Sequence, residues 1–269
     1  MHAPREHLAT SEQYYRVTGA SFRALCPESS GHMNMGLWPA PTLRAAQEGL
    51  VALALAHATS IFGERHDTPR AILDLGCGWG AARAVFQSSF PGVPYTGVSS
   101  AEEQIDAARE LNALIPRTEY VCARVEEVGR LPWAQADLVT SIEAAFHFTN
   151  KRELLGAAAR HGARALVLAE LCVEDPSVAR DPLLVPSLRH AWSCAEYDRA
   201  CVDAGFGRPR VDDIAPQVLP GFLAHLASID EATYLGRRAI LKQLRRATAA
   251  LVEAAERGAV RYVVIRAEV

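Results

Sequence analysis

The chain has 269 residues, and 49% of them are hydrophobic, which is enough to bury the core of one large α/β domain or of two small ones. Its 28 Lys and Arg residues nearly balance 31 Asp and Glu residues, so that the net charge is −3. This composition excludes a mainly disordered chain. Without a net positive charge, nucleic acid and anionic membranes are not expected as partners.

Cysteine and histidine spacing indicates no structural metal or disulfide framework. The six cysteines lie far apart and form no C-x-x-C pair, and no histidine has a metal-ligand partner at the usual spacing. The longest apolar run, residues 50–56, is too short to cross a bilayer. We therefore expect a cytoplasmic protein with no metal and no membrane partner, and homo-oligomerisation stays open.

The first half of the chain predicts two helices and then alternating strands and helices. Apolar spacing predicts helices over residues 14–25 and 41–62, followed by a polar linker at 63–69. Strands are predicted over 71–75, 94–98, 118–122, 137–142 and 165–169, with helices over 80–88, 101–113 and 151–161. Such alternation is typical of parallel βαβ units, which pack as a doubly wound sheet.

The second half predicts a helical insertion before a last strand. A helix over 193–204 ends at Gly205, and residues 208–214 are expected to be extended. Residues 219–255 are mostly helical by pattern, and the β-rich run at 261–266 ends the chain. The long helical stretch would thus interrupt the sheet between two strands.

A glycine-rich turn carries the strongest functional signal. In Ala71-Ile-Leu-Asp-Leu-Gly-Cys-Gly-Trp-Gly80, a buried strand runs into a turn that opens a helix. Glycines let a ligand approach the backbone, and free N–H groups at the helix start favour a nucleotide-type ligand. Ala81 stands where a dinucleotide fingerprint has its third glycine, which disfavours NAD and FAD.

Three motifs resemble the class I S-adenosylmethionine-dependent methyltransferases. Asp74 before the glycine turn resembles their motif I. Gly31-His-Met-Asn-Met-Gly-Leu-Trp38 and Ser141-Ile-Glu-Ala-Ala-Phe-His-Phe148 resemble elements of the group that modifies sugars, indoles, terpenoids and tocopherols. The resemblance implies a Rossmann-like sheet of seven mostly parallel strands with its last strand antiparallel, S-adenosylmethionine as cofactor, and a small-molecule acceptor.

From the resemblance and the element order we expect four segments. Residues 1–66 form an N-terminal helical cover, 67–215 the cofactor-binding α/β core, 216–257 a helical cap, and 258–269 the last strand of the core sheet. The cover and the cap are expected to roof the acceptor.

The residues expected to bind the cofactor depart from the usual pattern at two places. Ser99 stands where many relatives carry the acid that holds the ribose, so the resemblance points to Gln104 instead. Arg124 stands where relatives often have an aspartate that contacts adenine. The backbone of Val125, or Glu126, is therefore expected to contact the adenine instead. The full expected set is Tyr14, Asn34, Gly76, Gly78, Gly80, Ser99, Ser100, Gln104, Val125, Glu126 and Ser141.

Two residues at predicted strand ends are the main candidates for proton transfer. His147 and Glu170 follow the fourth and fifth strands, where ligands bind in open α/β sheets. Either His147 is the base and Glu170 orients it, or Glu170 is itself the base. Glu143 is a third catalytic candidate, which contacts the cofactor's methionine amino group or orders the loop.

The acceptor is expected to meet residues of the roof and of the loop after the fourth strand. These are Tyr15, His32, Trp38, Phe146 and Trp192. The expected function is methyl transfer to carbon, nitrogen or oxygen of a small metabolite, in natural-product biosynthesis. The alternatives are a cyclopropane-type lipid-modifying enzyme and a cofactor-binding protein without chemistry.

Overall fold

The computed structural model describes residues 31–133, 136–184, 188–231 and 238–269. Seven strands form one sheet in the order β3-β2-β1-β4-β5-β7-β6. The strands are β1 Ile72–Leu75, β2 Tyr95–Ser99, β3 Thr118–Cys122, β4 Leu138–Ile142, β5 Ala165–Val173, β6 Arg210–Asp213 and β7 Val260–Glu268. The helices are α1 Leu43–Glu64, α2 Arg83–Ser89, α3 Glu102–Leu111, α4 Lys151–Arg160, α5 Cys194–Ala204, α6 Ala215–Ser228 and α7 Arg238–Glu256.

Strand directions confirm the predicted doubly wound sheet. The pairs formed among β1 to β5 are parallel, whereas β7 runs antiparallel to both β5 and β6. Alternate residues of β5 enter different buried clusters: Val167 and Ala169 pack on one face, and Leu166 and Leu168 on the other. Both faces of the central strands are therefore covered, which explains their continuous apolar runs.

Helix α1 is a core helix of the sheet's first face. It is apolar and long enough to cross a bilayer by composition, but half of its most apolar window is buried inside the fold. Leu50, Ala54 and Leu55 are fully buried in the cluster that also holds β5 residues. Thr42 caps its start by accepting a hydrogen bond from the Ala45 amide at 3.1 Å.

Two predicted boundaries are wrong for physical reasons. Helix α2 begins at Arg83 rather than at residue 80, because Gly78 and Gly80 have positive φ angles that a right-handed helix does not allow. Strand β5 continues to Val173 rather than ending at 169, because β7 pairs with all nine of its residues. The helix predicted over 14–25 lies outside the described residues.

Candidate active site

The turn after β1 is held in place by its glycines. Gly76 and Gly78 have φ angles of 83° and 54°. A Cβ atom at Gly76 would lie 2.2 Å from the Cβ of Ala144, so the turn packs directly against the loop after β4. At Gly78 an added Cβ would meet only the Met33 Sδ, at 3.9 Å. The backbone at Gly78 therefore has room for a ligand beside it.

A cleft lies beside this turn, at the carboxyl ends of β1, β2 and β4. The strand order reverses between β1 and β4, which is where ligands bind in open α/β sheets. Eleven of the residues predicted from the sequence line it: His32, Asn34, Gly76, Gly78, Ser99, Ser100, Gln104, Val125, Glu126, Glu143 and His147. The structure therefore brings together most of the predicted cofactor-binding and catalytic residues, but of the predicted acceptor contacts only His32.

Asp74 is buried at the end of β1, beneath the cleft. Its two carboxylate oxygens accept hydrogen bonds from the Tyr95 hydroxyl at 2.7 Å and from the Thr140 hydroxyl at 3.0 Å. Burial raises the pKa of this carboxyl to about 6, and the two hydrogen bonds offset part of that rise. Asp74 is thus an acidic residue held in a fixed position at the base of the cleft.

Ser99 and Gln104 form a pair at the β2 end of the cleft. The Ser99 hydroxyl donates to the Gln104 Oε1 at 2.6 Å, and both side chains are almost fully buried. The amide nitrogen donates one hydrogen to the Met33 Sδ at 3.8 Å, and its second N–H remains for a ligand. This end of the cleft therefore presents a hydrogen-bond donor.

Residues 31–38, which we call the strap, form one wall of the cleft. The Leu37 amide donates to the Ala46 carbonyl of α1 at 2.8 Å. The Trp38 amide donates to the Gln217 carbonyl of α6 at 2.7 Å. The strap is thus tied to two helices that are far apart in the sequence.

Glu143 joins the strap to the sheet. It has a left-handed φ of 50°, and its Oε1 accepts hydrogen bonds from the Met35 amide at 2.6 Å and the Tyr262 hydroxyl at 2.5 Å. Its Oε2 has no hydrogen-bond partner among the described residues. Burial raises the pKa of Glu143 to about 7, although both hydrogen bonds lower it. Such a carboxyl exchanges a proton near neutral pH.

His147 ends a short 3₁₀ turn after β4 and is almost fully buried. Burial, together with the nearby charges of Lys151 and His190, lowers its pKa to about 3. The ring lies 4.2 Å, centroid to centroid, from that of Phe146. The imidazole is therefore uncharged at neutral pH.

Trp38, an expected acceptor contact, does not reach the cleft, and two tyrosines expected at the site, Tyr14 for the cofactor and Tyr15 for the acceptor, are not described. Trp38 packs against α6: its ring stacks on His225 at 5.6 Å, and a Cβ at Gly221 would lie 2.3 Å from it. Trp38 therefore does not line this cleft. Tyr14 and Tyr15 lie outside the described residues.

Phe146 and Trp192 are also placed away from the cleft. Phe146 is 4% exposed and belongs to the main core, whereas Phe148, which the sequence had not singled out, lines the cleft. The Trp192 ring packs on Tyr197 at 5.1 Å, and the Lys151 ammonium lies 5.2 Å from its centroid. The 3₁₀ turn sets which of the two phenylalanines lines the cleft, and the sequence spacing alone does not show which one does.

Three further candidates, Ser141, Gly80 and Glu170, do not line the cleft. The buried Ser141 hydroxyl donates to the Leu75 carbonyl at 2.8 Å and so ties β4 to β1. Gly80 packs against α3 beneath the turn. Glu170 is fully buried inside β5, opposite Val263, and not at the strand's end as predicted. It does not line the cleft.

Comparison with known proteins gives one family match. Residues 72–166 match a family model described as a methyltransferase domain. A search of curated proteins found no significant match.

Among the described residues, no group of three or more His, Cys, Asp or Glu is arranged to hold a metal ion.

Solved structures with the same fold cover nearly the whole chain. A putative sarcosine dimethylglycine methyltransferase from Galdieria sulphuraria has a TM-score of 0.78 at 18% identity, over 95% of this chain and 98% of that one. A cyclopropane synthase from Mycobacterium tuberculosis has 0.77 at 16%, over 99% of each. A geranyl diphosphate C-methyltransferase from Streptomyces coelicolor A3(2) has 0.71 at 17%, over 98% and 99%. At these identities the likeness concerns the fold.

Proposed function

We propose that this chain, whose residues 72–166 match a methyltransferase domain, is a class I S-adenosylmethionine-dependent methyltransferase that methylates carbon, nitrogen or oxygen of a small-molecule acceptor in specialised metabolism. The observation that carries this proposal is one cleft with two chemically different ends. The β2 end offers the Gln104 amide, and the β4 end offers Glu143 and His147.

The residues of the first end fit the cofactor. The backbone of the turn is open at Gly78, and the Ser99–Gln104 pair presents its amide to the same space. Residues Val125 and Glu126, after β3, are proposed to contact adenine. When bound, S-adenosylmethionine supplies a methyl group on a positively charged sulfur.

Gln104→Ala should raise the dissociation constant for S-adenosylmethionine about tenfold, because one or two hydrogen bonds to a buried ribose are lost. Calorimetry with S-adenosylmethionine and S-adenosylhomocysteine measures it. Ser99→Ala is the matched control, because it keeps the Gln104 amide and removes only the hydrogen bond that orients it. We expect a smaller loss of cofactor affinity in this variant. Unchanged affinity in Gln104→Ala would move the ribose contact to another residue.

At the second end we propose that Glu143 accepts the acceptor's proton and that His147 orients the nucleophile. A base works best with a pKa near the working pH, which favours Glu143 with its pKa of about 7 over His147 with its pKa of about 3. A neutral imidazole has one nitrogen that accepts a hydrogen bond from an N–H or O–H nucleophile. In-line transfer then depends mainly on positioning.

The charge of the described lining favours a neutral or cationic acceptor. Asp74, Glu126 and Glu143 are acidic, and the single guanidinium, that of Arg124, lies 3.8 Å from the Glu126 carboxylate. No cationic side chain among the described lining residues stands beside Glu143. A diphosphate would therefore meet repulsion at this end.

A matched acceptor series tests the proposed function. S-adenosylhomocysteine formation is measured with geranylamine, geraniol and geranyl diphosphate, and with indoles, sugars and phenols. We expect turnover with amines or alcohols and at least tenfold lower kcat/KM for the diphosphate of the same skeleton, a difference of about 1.4 kcal/mol. Preferred turnover of unsaturated acyl lipids would support the cyclopropane-type alternative. Cofactor binding without turnover of any class would support a non-catalytic protein.

The segment division stays part of this proposal. We propose that the cover, residues 1–66, and the cap, 216–257, roof the acceptor over the core, 67–215, which the strand at 258–269 completes. The contact of Trp38 with α6 supports it, since it joins the strap to the cap. A cytoplasmic location is proposed with it.

A further inference from the structure

Lys151 lies behind the turn that carries His147. It is the first residue of α4 and only 2% exposed. Its ammonium donates to the Phe148 carbonyl at 2.7 Å and to the His190 carbonyl. One buried cation thus joins the loop that lines the cleft to the segment that precedes α5. A buried ammonium without such partners would be strongly unfavourable.

Glu170 supplies the opposite charge for this cation. Neither of its carboxylate oxygens has a hydrogen bond of normal geometry among the described residues. Burial raises the pKa of Glu170, and the Lys151 charge, together with the nearby Tyr197, lowers it again. In the same way burial lowers the pKa of Lys151 and Glu170 raises it. Each group therefore favours the charged form of the other.

We propose that Lys151 is the positioning residue for His147: its ammonium, held by two carbonyls and balanced by Glu170, fixes the turn and disfavours a second proton on the imidazole. The sequence had suggested Glu170 for this task. The structure points to Lys151 instead, because its ammonium donates to the Phe148 carbonyl in the loop that lines the cleft. The inference rests on the proposed role of His147 in orienting the acceptor.

The surroundings of His147 support this assignment. Lys151 faces it from α4 and His190 from the segment before α5, and both lower its pKa. No carboxylate contributes to the shift of His147. An imidazole that gained a second proton would lose its accepting nitrogen, so that it could no longer take the nucleophile's hydrogen bond.

The test is the titration of His147 by NMR in the full chain, with its signal assigned by the loss in His147→Asn. Lys151→Met keeps the alkyl chain and removes the charge, and it should raise the midpoint by about one pH unit or more. Lys151→Arg keeps the charge and should retain the wild-type midpoint.

Glu170→Gln is the matched control. Because the raised pKa leaves Glu170 protonated at acid pH, this change should leave the His147 midpoint where it is. If Lys151→Met does not fold because Glu170 is left unbalanced, the double variant Lys151→Met/Glu170→Gln gives the same readout. An unmoved midpoint in the lysine variant, or an equal rise in Glu170→Gln, overturns the inference. A moved midpoint in a protein without methyl transfer would instead reject the proposed function.

Discussion

Glu143→Gln should lower kcat by about 10²–10⁴-fold, with S-adenosylmethionine affinity nearly unchanged. The glutamine still accepts the hydrogen bonds of Met35 and Tyr262 through its carbonyl oxygen, so the strap should stay in place. What disappears is the Oε2 oxygen, which has no hydrogen-bond partner in the described part of the chain and can accept a proton. Steady-state kinetics and calorimetry separate the two effects.

The proposed role of Glu143 as the base also predicts the direction in which activity changes with pH. A carboxylate accepts a proton only when it is ionised, so wild-type activity should fall as pH drops below about 7. Tyr262→Phe is the matched control: the tyrosine hydrogen bond lowers the pKa of Glu143, so its removal should shift the fall to higher pH while kcat at high pH persists.

Three outcomes would contradict the role of Glu143. If Glu143→Gln mainly weakens cofactor binding, the carboxyl contacts the methionine amino group instead. If it keeps near-full kcat while His147→Ala loses about 10²–10⁴-fold, the base is His147, as the sequence alone suggested. If both variants keep their activity, positioning alone carries the transfer.

Gly76→Ala should destabilise the protein by about 2–5 kcal/mol, from left-handed strain and from overlap with a neighbour. The new methyl group would lie 2.2 Å from the Cβ of Ala144. Gly205→Ala isolates the strain, because Gly205 has a φ of 98° but nothing within 4 Å of an added Cβ. Urea unfolding measures both.

The double variant Gly76→Ala/Ala144→Gly separates overlap from strain. Removing the Ala144 methyl should recover the overlap part and leave a loss close to that of Gly205→Ala. Cofactor affinity should recover in parallel, since the turn would return to its position. Equal losses in the single and the double variant would mean that the turn moves aside and that the contact does not matter.

The sequence predicted the sheet well because its strands are short apolar runs between clear turn signals. It missed the length of β5, because Glu170 interrupts the apolar run and only the pairing with β7 carries the strand past it. Polar residues inside buried strands are uncommon, so a carboxyl is a reasonable but misleading end signal.

For the site, the motifs located the correct loops but not the direction of each side chain. Glu143 and His147 face the cleft, whereas Ser141 and Phe146, from the same motif, face inward. Lys151 was overlooked because a lysine at a helix start is usually solvated. Its buried position depends on hydrogen bonds to the Phe148 and His190 carbonyls, which only the folded chain places beside it.

The hydroxyl that Glu143 binds comes from β7, 119 residues further along the chain. The strap, bound through Met35, precedes the region that matches the family model, and Tyr262 follows it. A fragment cut to residues 72–166 would retain the glycine turn and the Ser99–Gln104 pair but lose both groups whose hydrogen bonds lower the pKa of the buried Glu143. The matched region thus holds Glu143 and His147 themselves, whereas the groups that hydrogen-bond Glu143 come from the flanking sequence on both sides.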